Sequence, residues 1–133
     1  MVFVAARMAA SNRQGVSSGT LSLPEADAAI IPPEKLRDYV LSPTHPVGRF
    51  KAAFFAELGY RQPDWQRLEA DLRAQHVPLD VERTERTPYG VKHTVRGPLK
   101  GPSGRTADVV AIWIVRSGER APQLVTLFPG GKR

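Results

Sequence analysis

The spacing of apolar residues changes along the chain, from the period of helices to the period of strands. In the first half, apolar residues recur every three to four positions. This spacing predicts helices over residues 34–41, 46–58 and 64 to about 76. Prolines at the start of the first two segments and Gly59 after the second are typical helix boundaries.

The second half of the chain predicts four strands, separated by turns rich in glycine and proline. The longest strand, residues 106–115, has apolar residues on both faces, as expected of a central strand covered by helices. The other strands are predicted at 79–81, 91–96 and 123–128. Because the connections are short, successive strands should pair antiparallel. The sequence therefore predicts an α+β fold, with two or three N-terminal helices packed on one face of a four-stranded antiparallel sheet.

The apolar pattern also predicts the extent of the domain and part of its core. Residues 1–23 have no period and are interpreted as a disordered tail or the remnant of an upstream segment. Residues 24–133 then form a single α+β domain, a length sufficient for one core. In the second helix, one face carries four apolar residues that we assign to the core: Val47, Phe50, Phe54 and Leu58.

The residue composition narrows the classes of function. The chain has no cysteine, and its three histidines are not at short metal-ligand spacing. We therefore expect no metal and no cofactor. No apolar run approaches the roughly 20 residues that a membrane span needs, and the N-terminus lacks the basic region of a signal peptide. No contact with a membrane and a cytoplasmic location are the corresponding expectations.

Positive charge is concentrated in one part of the chain. The net charge is +6 at pH 7, and residues 91–105 contain four cationic and no acidic residues. Such a cluster favours an acidic partner, with nucleic acid first and an acidic protein second. The four residues are Lys92, Arg96, Lys100 and Arg105. The alternative interpretation is a solvated hairpin face with no binding role.

The start of the second predicted helix has the features of an anion site. Pro46 at the first helical position makes His45 the N-cap. The N–H groups of the next three residues, 47–49, should then point out of the helix end, where the helix dipole favours a phosphate or carboxylate. Gly48 allows close approach of the ligand, and Arg49 adds a guanidinium that matches a phosphate.

These residues suggest cleavage of RNA without a metal. RNA supplies its own nucleophile, the 2′-hydroxyl, so the protein needs an acid or base and cations around the phosphate. His45 is the candidate base or acid, and Lys51 and Thr126 are further candidates for the catalytic site. The candidates for binding phosphate or RNA are Arg49, Lys92, Arg96 and Arg105.

Each of these residues also has a purely structural interpretation. His45 can be a cap of its turn, and Thr126 can be a threonine satisfied within its strand. His93 alternates with apolar neighbours, so it is interpreted as a partly buried histidine of the sheet. His76 lies at the end of a helix, where an imidazole interacts favourably with the dipole.

Three stretches of the chain resemble a family of small bacterial domains of unassigned activity, which occur alone or at the C-termini of larger bacterial and phage proteins. They are KLRDYVLSPTHPVGRFKAAFFAELGY, YGVKHTVRGPLKGPSGRTADVVAIWIV and PQLVTLFP, and the resemblance covers about residues 30–129. The order of helices and strands is in turn similar to the barnase–EndoU–colicin–RelE-like ribonuclease superfold, which includes toxin domains. The resemblance implies a site at His45, Arg49, Lys51, Lys92 and Thr126. The family commonly has tyrosine where this chain has His93, so His93 is not expected to be catalytic.

The first functional hypothesis is a metal-independent, toxin-type endoribonuclease that cleaves by 2′-hydroxyl attack. Its partners would be RNA and a small acidic antitoxin or immunity protein. The alternative is a non-catalytic basic module that binds nucleic acid or an acidic protein. An immunity or antitoxin role ranks third, because proteins that mask basic nucleases tend to be acidic and this chain is basic.

Overall fold

The computed structural model describes residues 22–131 and contains three helical regions followed by four strands. Helix α1 spans Pro33–Lys35 and continues as a π-helical turn over Leu36–Val40. Helix α2 spans Arg49–Leu58. Helix α3 spans Trp65–Asp71 and continues as a π-helical turn over Leu72–His76. Short 3₁₀ turns occur at Ala26–Ala28 and Gln62–Asp64. The strands are β1 Val81–Thr87, β2 Gly90–Lys100, β3 Thr106–Arg116 and β4 Gln123–Pro129.

The four strands form one antiparallel sheet in the order β1-β2-β3-β4. This arrangement confirms the predicted α+β fold and the predicted meander. Residues paired across neighbouring strands share a face of the sheet, so Val95, Ala111 and Leu127 all face the same side. That side carries the core, where Leu36, Phe55, Leu68 and Leu72 of the helical regions pack against the sheet. The helices therefore cover one face, as the sequence predicted.

Helix α2 departs from the sequence prediction in its start and in its buried face. It begins at Arg49, three residues after Pro46, because residues 45–48 form a turn instead of helix. Its buried residues are Ala52, Phe55 and Leu58. The assignment of Val47 and Phe50 to the core is wrong, since these side chains are 59% and 70% exposed, and Phe54 is only partly buried. The turn fixes the rotation of the helix, and the apolar spacing alone allowed either face.

The N-terminal part of the described chain packs onto the domain. Leu23 is buried in the core, and Ser22 forms an isolated bridge with Asp80. Apart from Ser22 and Leu23, the tail predicted over 1–23 lies outside the described residues. Within residues 22–131, no helix is long and apolar enough to cross a membrane.

Candidate functional site

A lysine, a tyrosine and a threonine from three separate elements meet at the β4 edge of the sheet. Lys51 Nζ donates hydrogen bonds to Tyr39 Oη at 2.9 Å and to Thr126 Oγ1 at 2.8 Å. The same ammonium lies 4.5 Å from the centre of the Tyr39 ring, a cation–π contact. Thr126 Oγ1 is also 3.4 Å from the carbonyl oxygen of Leu127. Of the predicted catalytic residues, Lys51 and Thr126 are thus in direct contact.

Local backbone features place these three side chains together. Tyr39 lies in the π-helical turn after α1, and Lys51 lies in the first turn of α2. The two segments cross closely at Gly48, where a Cβ atom would be only 2.0 Å from the carbonyl oxygen of Tyr39. Thr126 follows a register shift between β3 and β4. Such a bulge re-aims side chains at a sheet edge.

The three side chains line a solvent-open groove of about 520 Å³. Its other lining residues are Glu34, Lys35 and Val125. The groove is therefore lined by residues that carry a carboxylate, two ammonium groups and two hydroxyls. An ammonium has three donors, and within residues 22–131 Lys51 uses two of them on Tyr39 and Thr126. The third remains available to an anionic ligand.

His45 closes the turn that precedes α2. Its Nδ1 accepts hydrogen bonds from the backbone N–H groups of Val47 and Gly48, both at 3.0 Å, and its carbonyl oxygen accepts the N–H of Arg49. The predicted anion site needed these three N–H groups to be free, so the structure does not contain that site. The capping role inferred for His45 is present, but it acts on the turn instead of on a helix that begins at Pro46.

The ring geometry of His45 limits the chemistry it can perform. In a neutral imidazole one nitrogen carries the proton and the other accepts. Because Nδ1 accepts two N–H groups, the proton of the neutral ring is on Nε2. The ring also meets Tyr39 edge-on, with the two ring centroids 4.9 Å apart. His45 therefore supports Tyr39 and offers an N–H donor, but it has no free lone pair with which to accept a proton.

Arg49 is turned away from the groove. Its Nη1 donates to the carbonyl oxygen of Pro46 at 2.9 Å, and its guanidinium carbon lies 4.7 Å from the centre of the Phe50 ring. Arg49 instead lines a neighbouring hollow with Ala52, Ala53 and other residues. The structure thus does not place Arg49 beside Lys51 in the groove.

The other predicted phosphate-binding residues are also separate from the groove. Lys92 pairs with Ile114, which puts it on the face opposite the helices. Arg96 lies on that face as well and contacts Glu82 at 3.1 Å and Asp108 at 3.6 Å. Arg105 is near Glu57 at 3.7 Å, beside the C-terminal end of α2. The sequence cluster 91–105 does not form one cationic patch around Lys51.

The two remaining histidines are buried. His76 is fully buried, with Nε2 2.9 Å from the carbonyl oxygen of Val109, and burial lowers the pKa of its ring. His93 is 7% exposed, with Nδ1 3.0 Å from Thr84 Oγ1, and burial lowers its pKa too. Both are consistent with the structural interpretation. Within residues 22–131, no group of three histidine, aspartate or glutamate side chains is arranged to hold a metal.

Sequence reasoning missed two residues of the groove, Tyr39 and Glu34. Both residues lie in the first predicted helix, residues 34–41, and neither is among the candidates named from the sequence. A tyrosine hydroxyl on a face otherwise made of Leu36 and Val40 was the available signal, because a buried hydroxyl usually has a polar partner. That the partner is Lys51 follows only from the tertiary structure.

Comparisons with known proteins identify the fold and the family. No curated protein sequence matches the chain. Among solved structures, the chain is similar to one chain of a contact-dependent growth inhibition toxin–immunity protein complex from Klebsiella pneumoniae 342. The two are 14% identical, with a TM-score of 0.58, over 80% of this chain and 97% of the other. At this identity the likeness shows a shared fold. The family model described as "Domain of unknown function (DUF6883)" matches residues 22–131, and the chain therefore belongs to the DUF6883 family.

Proposed function

We propose that the protein is a metal-independent, toxin-type RNA endonuclease whose catalytic groove is built around Lys51. The observation that carries the proposal is the contact of Lys51 with Tyr39 and Thr126 in an open groove that also contains Glu34. The net charge of +6 and the fold shared with a chain of a toxin–immunity complex support it. As part of this proposal, we assign the domain to the barnase–EndoU–colicin–RelE-like ribonuclease superfold.

Lys51 would stabilise the charge that develops on phosphorus. Two of its three N–H donors are held by Tyr39 and Thr126. Because the ammonium is fixed in this way, the protein also sets the direction of the third N–H. A fixed donor stabilises developing charge without reorganising during the reaction. A non-bridging phosphate oxygen would therefore accept from Lys51 Nζ, and this contact would strengthen in the transition state.

Glu34 and Tyr39 would move the protons. The Glu34 carboxylate would accept the proton of the RNA 2′-hydroxyl, whose oxygen attacks phosphorus while the bond from phosphorus to the 5′-oxygen breaks. Tyr39 Oη would give its proton to the leaving 5′-oxygen and regain one from Lys51, which already donates to it. The products would be a 2′,3′-cyclic phosphate and a 5′-hydroxyl. A later proton transfer from Glu34 to Lys51 through water would restore both groups.

Thr126 and His45 would act as positioning residues. Thr126 Oγ1 orients the Lys51 ammonium from the strand side. His45 holds the turn before α2 and packs against the Tyr39 ring. This division replaces the acid or base role first considered for His45, because its Nδ1 lone pair is already used.

A toxin of this kind needs a protein that neutralises it in the cell that makes it. We propose a small acidic antitoxin or immunity protein, since negative charge complements a basic nuclease and speeds association. The structural neighbour comes from a toxin–immunity complex, which supports this partner class. RNA as substrate also implies action in the cytoplasm.

The test is cleavage of a fluorescent RNA oligonucleotide by purified protein in EDTA. We expect cleavage by the wild type, and a loss of about 100- to 1,000-fold for Lys51→Ala, the magnitude typical of removing one charge-stabilising donor. Lys100→Ala removes the same charge at the far end of β2 and should retain activity within about twofold. An oligonucleotide with 2′-deoxy sugars should remain intact. Intact RNA with the wild type, together with normal growth of bacteria that express it, would refute the proposal.

The geometry of His45 also favours a second candidate, a non-catalytic module that binds RNA or an acidic protein. A histidine whose Nδ1 only caps a turn is what such a module would contain. This candidate predicts salt-dependent binding without turnover. His45→Asn, which can still accept the two N–H groups, would then bind like the wild type. Detection of a cyclic phosphate product would exclude it.

A further inference from the structure

A second cavity lies at the end of the sheet where two hairpin turns meet. It has a volume of about 360 Å³ and lies between the β1–β2 turn and the end of β3. Its lining includes two arginines, Arg86 and Arg116, and one carboxylate, Glu119. None of these residues belongs to the groove around Lys51.

The two arginines of this cavity have no charged partner. Within residues 22–131, neither Arg86 nor Arg116 forms an ion pair or a side-chain hydrogen bond, not even with Glu119. Arg83 on the same strand is different, because it lies 3.8 Å from Glu85. The cavity is thus lined by two arginines without an ion-pair partner, one from each face of the sheet, and the planar fork of an arginine matches a phosphate group.

An exposed aromatic ring lies beside the cavity on a fixed backbone. The Tyr89 side chain is 74% exposed, yet its N–H donates to Thr87 Oγ1 at 3.1 Å and its carbonyl oxygen accepts the N–H of Ser117 at 3.1 Å. Thr87 Oγ1 in turn donates to the carbonyl oxygen of Gly90 at 2.9 Å. The turn thus presents the ring to solvent at little further ordering cost, which favours binding.

The close packing of the two hairpins explains why the turn is held. Gly90 has φ of 146°, and a Cβ at this position would lie 2.2 Å from the carbonyl oxygen of Val115. Only glycine permits this backbone and this approach. The chain therefore keeps Tyr89 and Arg116 in a constant relation, since Gly90 pairs directly with Arg116.

We propose that this cavity and Tyr89 form a subsite for single-stranded RNA outside the cleavage groove. One base would stack on the Tyr89 ring, and Arg86 and Arg116 would bind adjacent phosphates. Stacking platforms combined with cations are the usual means of binding single strands without sequence readout. The inference rests on the proposed function for its identification of the ligand as RNA.

The subsite lies at one end of the sheet, and the strand register gives its separation from the groove. Arg86 pairs with Val91, and Val91 pairs with Val115, on the sheet face that the helices cover, whereas Arg116 pairs with Gly90 and Thr126 pairs with Ile112 on the other face. Across the strands, the register places Arg86 on β1 three strand spacings of about 4.8 Å from Thr126 on β4. Along the strand direction, the two residues are offset by about three residues of 3.4 Å each. An oligonucleotide of several nucleotides spans this separation.

The test measures binding of a fluorescent, fully 2′-O-methylated RNA of about ten nucleotides, a length in the range of single-strand sites. This probe cannot be cleaved by 2′-hydroxyl attack. We expect Tyr89→Ala to weaken binding about tenfold. Arg86→Ala and Arg116→Ala should each weaken it several-fold and reduce the slope of log affinity against log salt by about 0.7. Arg83→Ala, an exposed arginine on the same strand, is the matched control and should bind within about twofold of the wild type.

The outcomes separate this inference from the proposed function. If the wild type cleaves RNA but the Tyr89 and arginine variants bind the probe normally, the subsite is refuted and the nuclease stands. If these variants lose binding and no protein cleaves RNA, the subsite stands and the nuclease is refuted. Absence of probe binding by the wild type would refute the subsite, whereas the nuclease is tested by the cleavage of RNA alone. Equal losses for Tyr89→Ala and Tyr89→Phe would also refute the subsite, since phenylalanine retains the stacking ring.

Discussion

Gly48→Ala tests whether the close crossing of two backbone segments builds the groove. A Cβ at this position would be 2.0 Å from the carbonyl oxygen of Tyr39, whereas real Cβ contacts are essentially never under 3.0 Å. The segments that carry Tyr39 and Lys51 must therefore separate by about 1 Å or more. Overpacking of this kind typically destabilises a protein by about 1–3 kcal/mol. Alanine also lowers the conformational entropy of the unfolded chain, which offsets about 0.4–1 kcal/mol of this destabilisation.

The expected result is a net loss of about 1–2 kcal/mol in the free energy of unfolding, or about 3–8 °C in Tm for a domain of this size. RNA cleavage should fall further than stability, by about 100-fold, because a 1 Å misplacement can cost this much in rate. The hydrogen bond from Lys51 to Tyr39, now 2.9 Å, is the contact that the shift would break. Thermal unfolding by circular dichroism and the RNA cleavage assay measure the two effects.

Ala53→Gly provides a matched control on the same helix. Ala53 is exposed in α2, and glycine at such a position costs about 1 kcal/mol in helix propensity. This variant should lose similar stability while cleaving RNA at nearly the wild-type rate below its Tm. If Gly48→Ala unfolds within 1 °C of the wild type and cleaves normally, the crossing at Gly48 does not determine the geometry of the groove.

Two further predictions concern Thr126 and His76. Thr126→Val removes the hydroxyl that orients Lys51, and we expect about tenfold slower RNA cleavage. Thr126→Ser keeps a hydroxyl and should restore most of the rate. Equal cleavage rates for the two variants would contradict a positioning role for Thr126. Burial lowers the pKa of His76 below its ordinary value of 6.5, so the unfolded state binds its proton first as the pH falls. The free energy of unfolding should therefore decrease from pH 7.5 to pH 5, and His93 adds an effect of the same sign. Urea unfolding at several pH values measures this decrease. If the free energy of unfolding of His76→Gln depends on pH as steeply as that of the wild type, His76 is not a main cause of the decrease.

Three of the four strands could be placed from the sequence because their signals are local, whereas the strand predicted at 79–81 is β1, which spans Val81–Thr87. Alternating residues define the faces of the strands, and glycine and proline mark the turns between them. Turns occur at 88–89 and 102–104, between the strands predicted from the sequence. The predicted strand 106–115 corresponds closely to β3, Thr106–Arg116. Short connections then leave an antiparallel meander as the simplest topology.

The rotation of α2 could not be predicted in the same way. Its apolar residues allow two faces, one with Phe50 and one with Phe55, and the choice depends on how the preceding turn packs. His45 fixes that turn by accepting two N–H groups, and Gly48 lets it approach Tyr39. These are contacts with specific partners, which a periodic pattern does not encode. The prediction therefore placed Phe50 inside and left Tyr39 out of the site.

The candidate site was predicted in part for a related reason. Lys51 and Thr126 were both identified, but their contact joins residues 75 positions apart, and only the fold brings them together. The roles assigned to the cations depended on local charge counts. Such counts treat every lysine and arginine of a basic segment alike. The structure distinguishes the cations that pair with a carboxylate from those that do not.

Whether a cation has a carboxylate partner bears on which cations we propose to bind RNA. Arg96 and Arg105, predicted from the basic segment to bind RNA, have acidic partners at 3.1 and 3.7 Å. An RNA phosphate would have to compete with these carboxylates, and an exposed pair is worth little to begin with. Within residues 22–131, Lys51, Arg86 and Arg116 have no ion-pair partner, and each lines a groove or cavity. Their charge is available to a phosphate without first breaking an ion pair. In our proposal the net charge of +6 attracts the RNA strand, and these three residues are the cations to which we assign its phosphates.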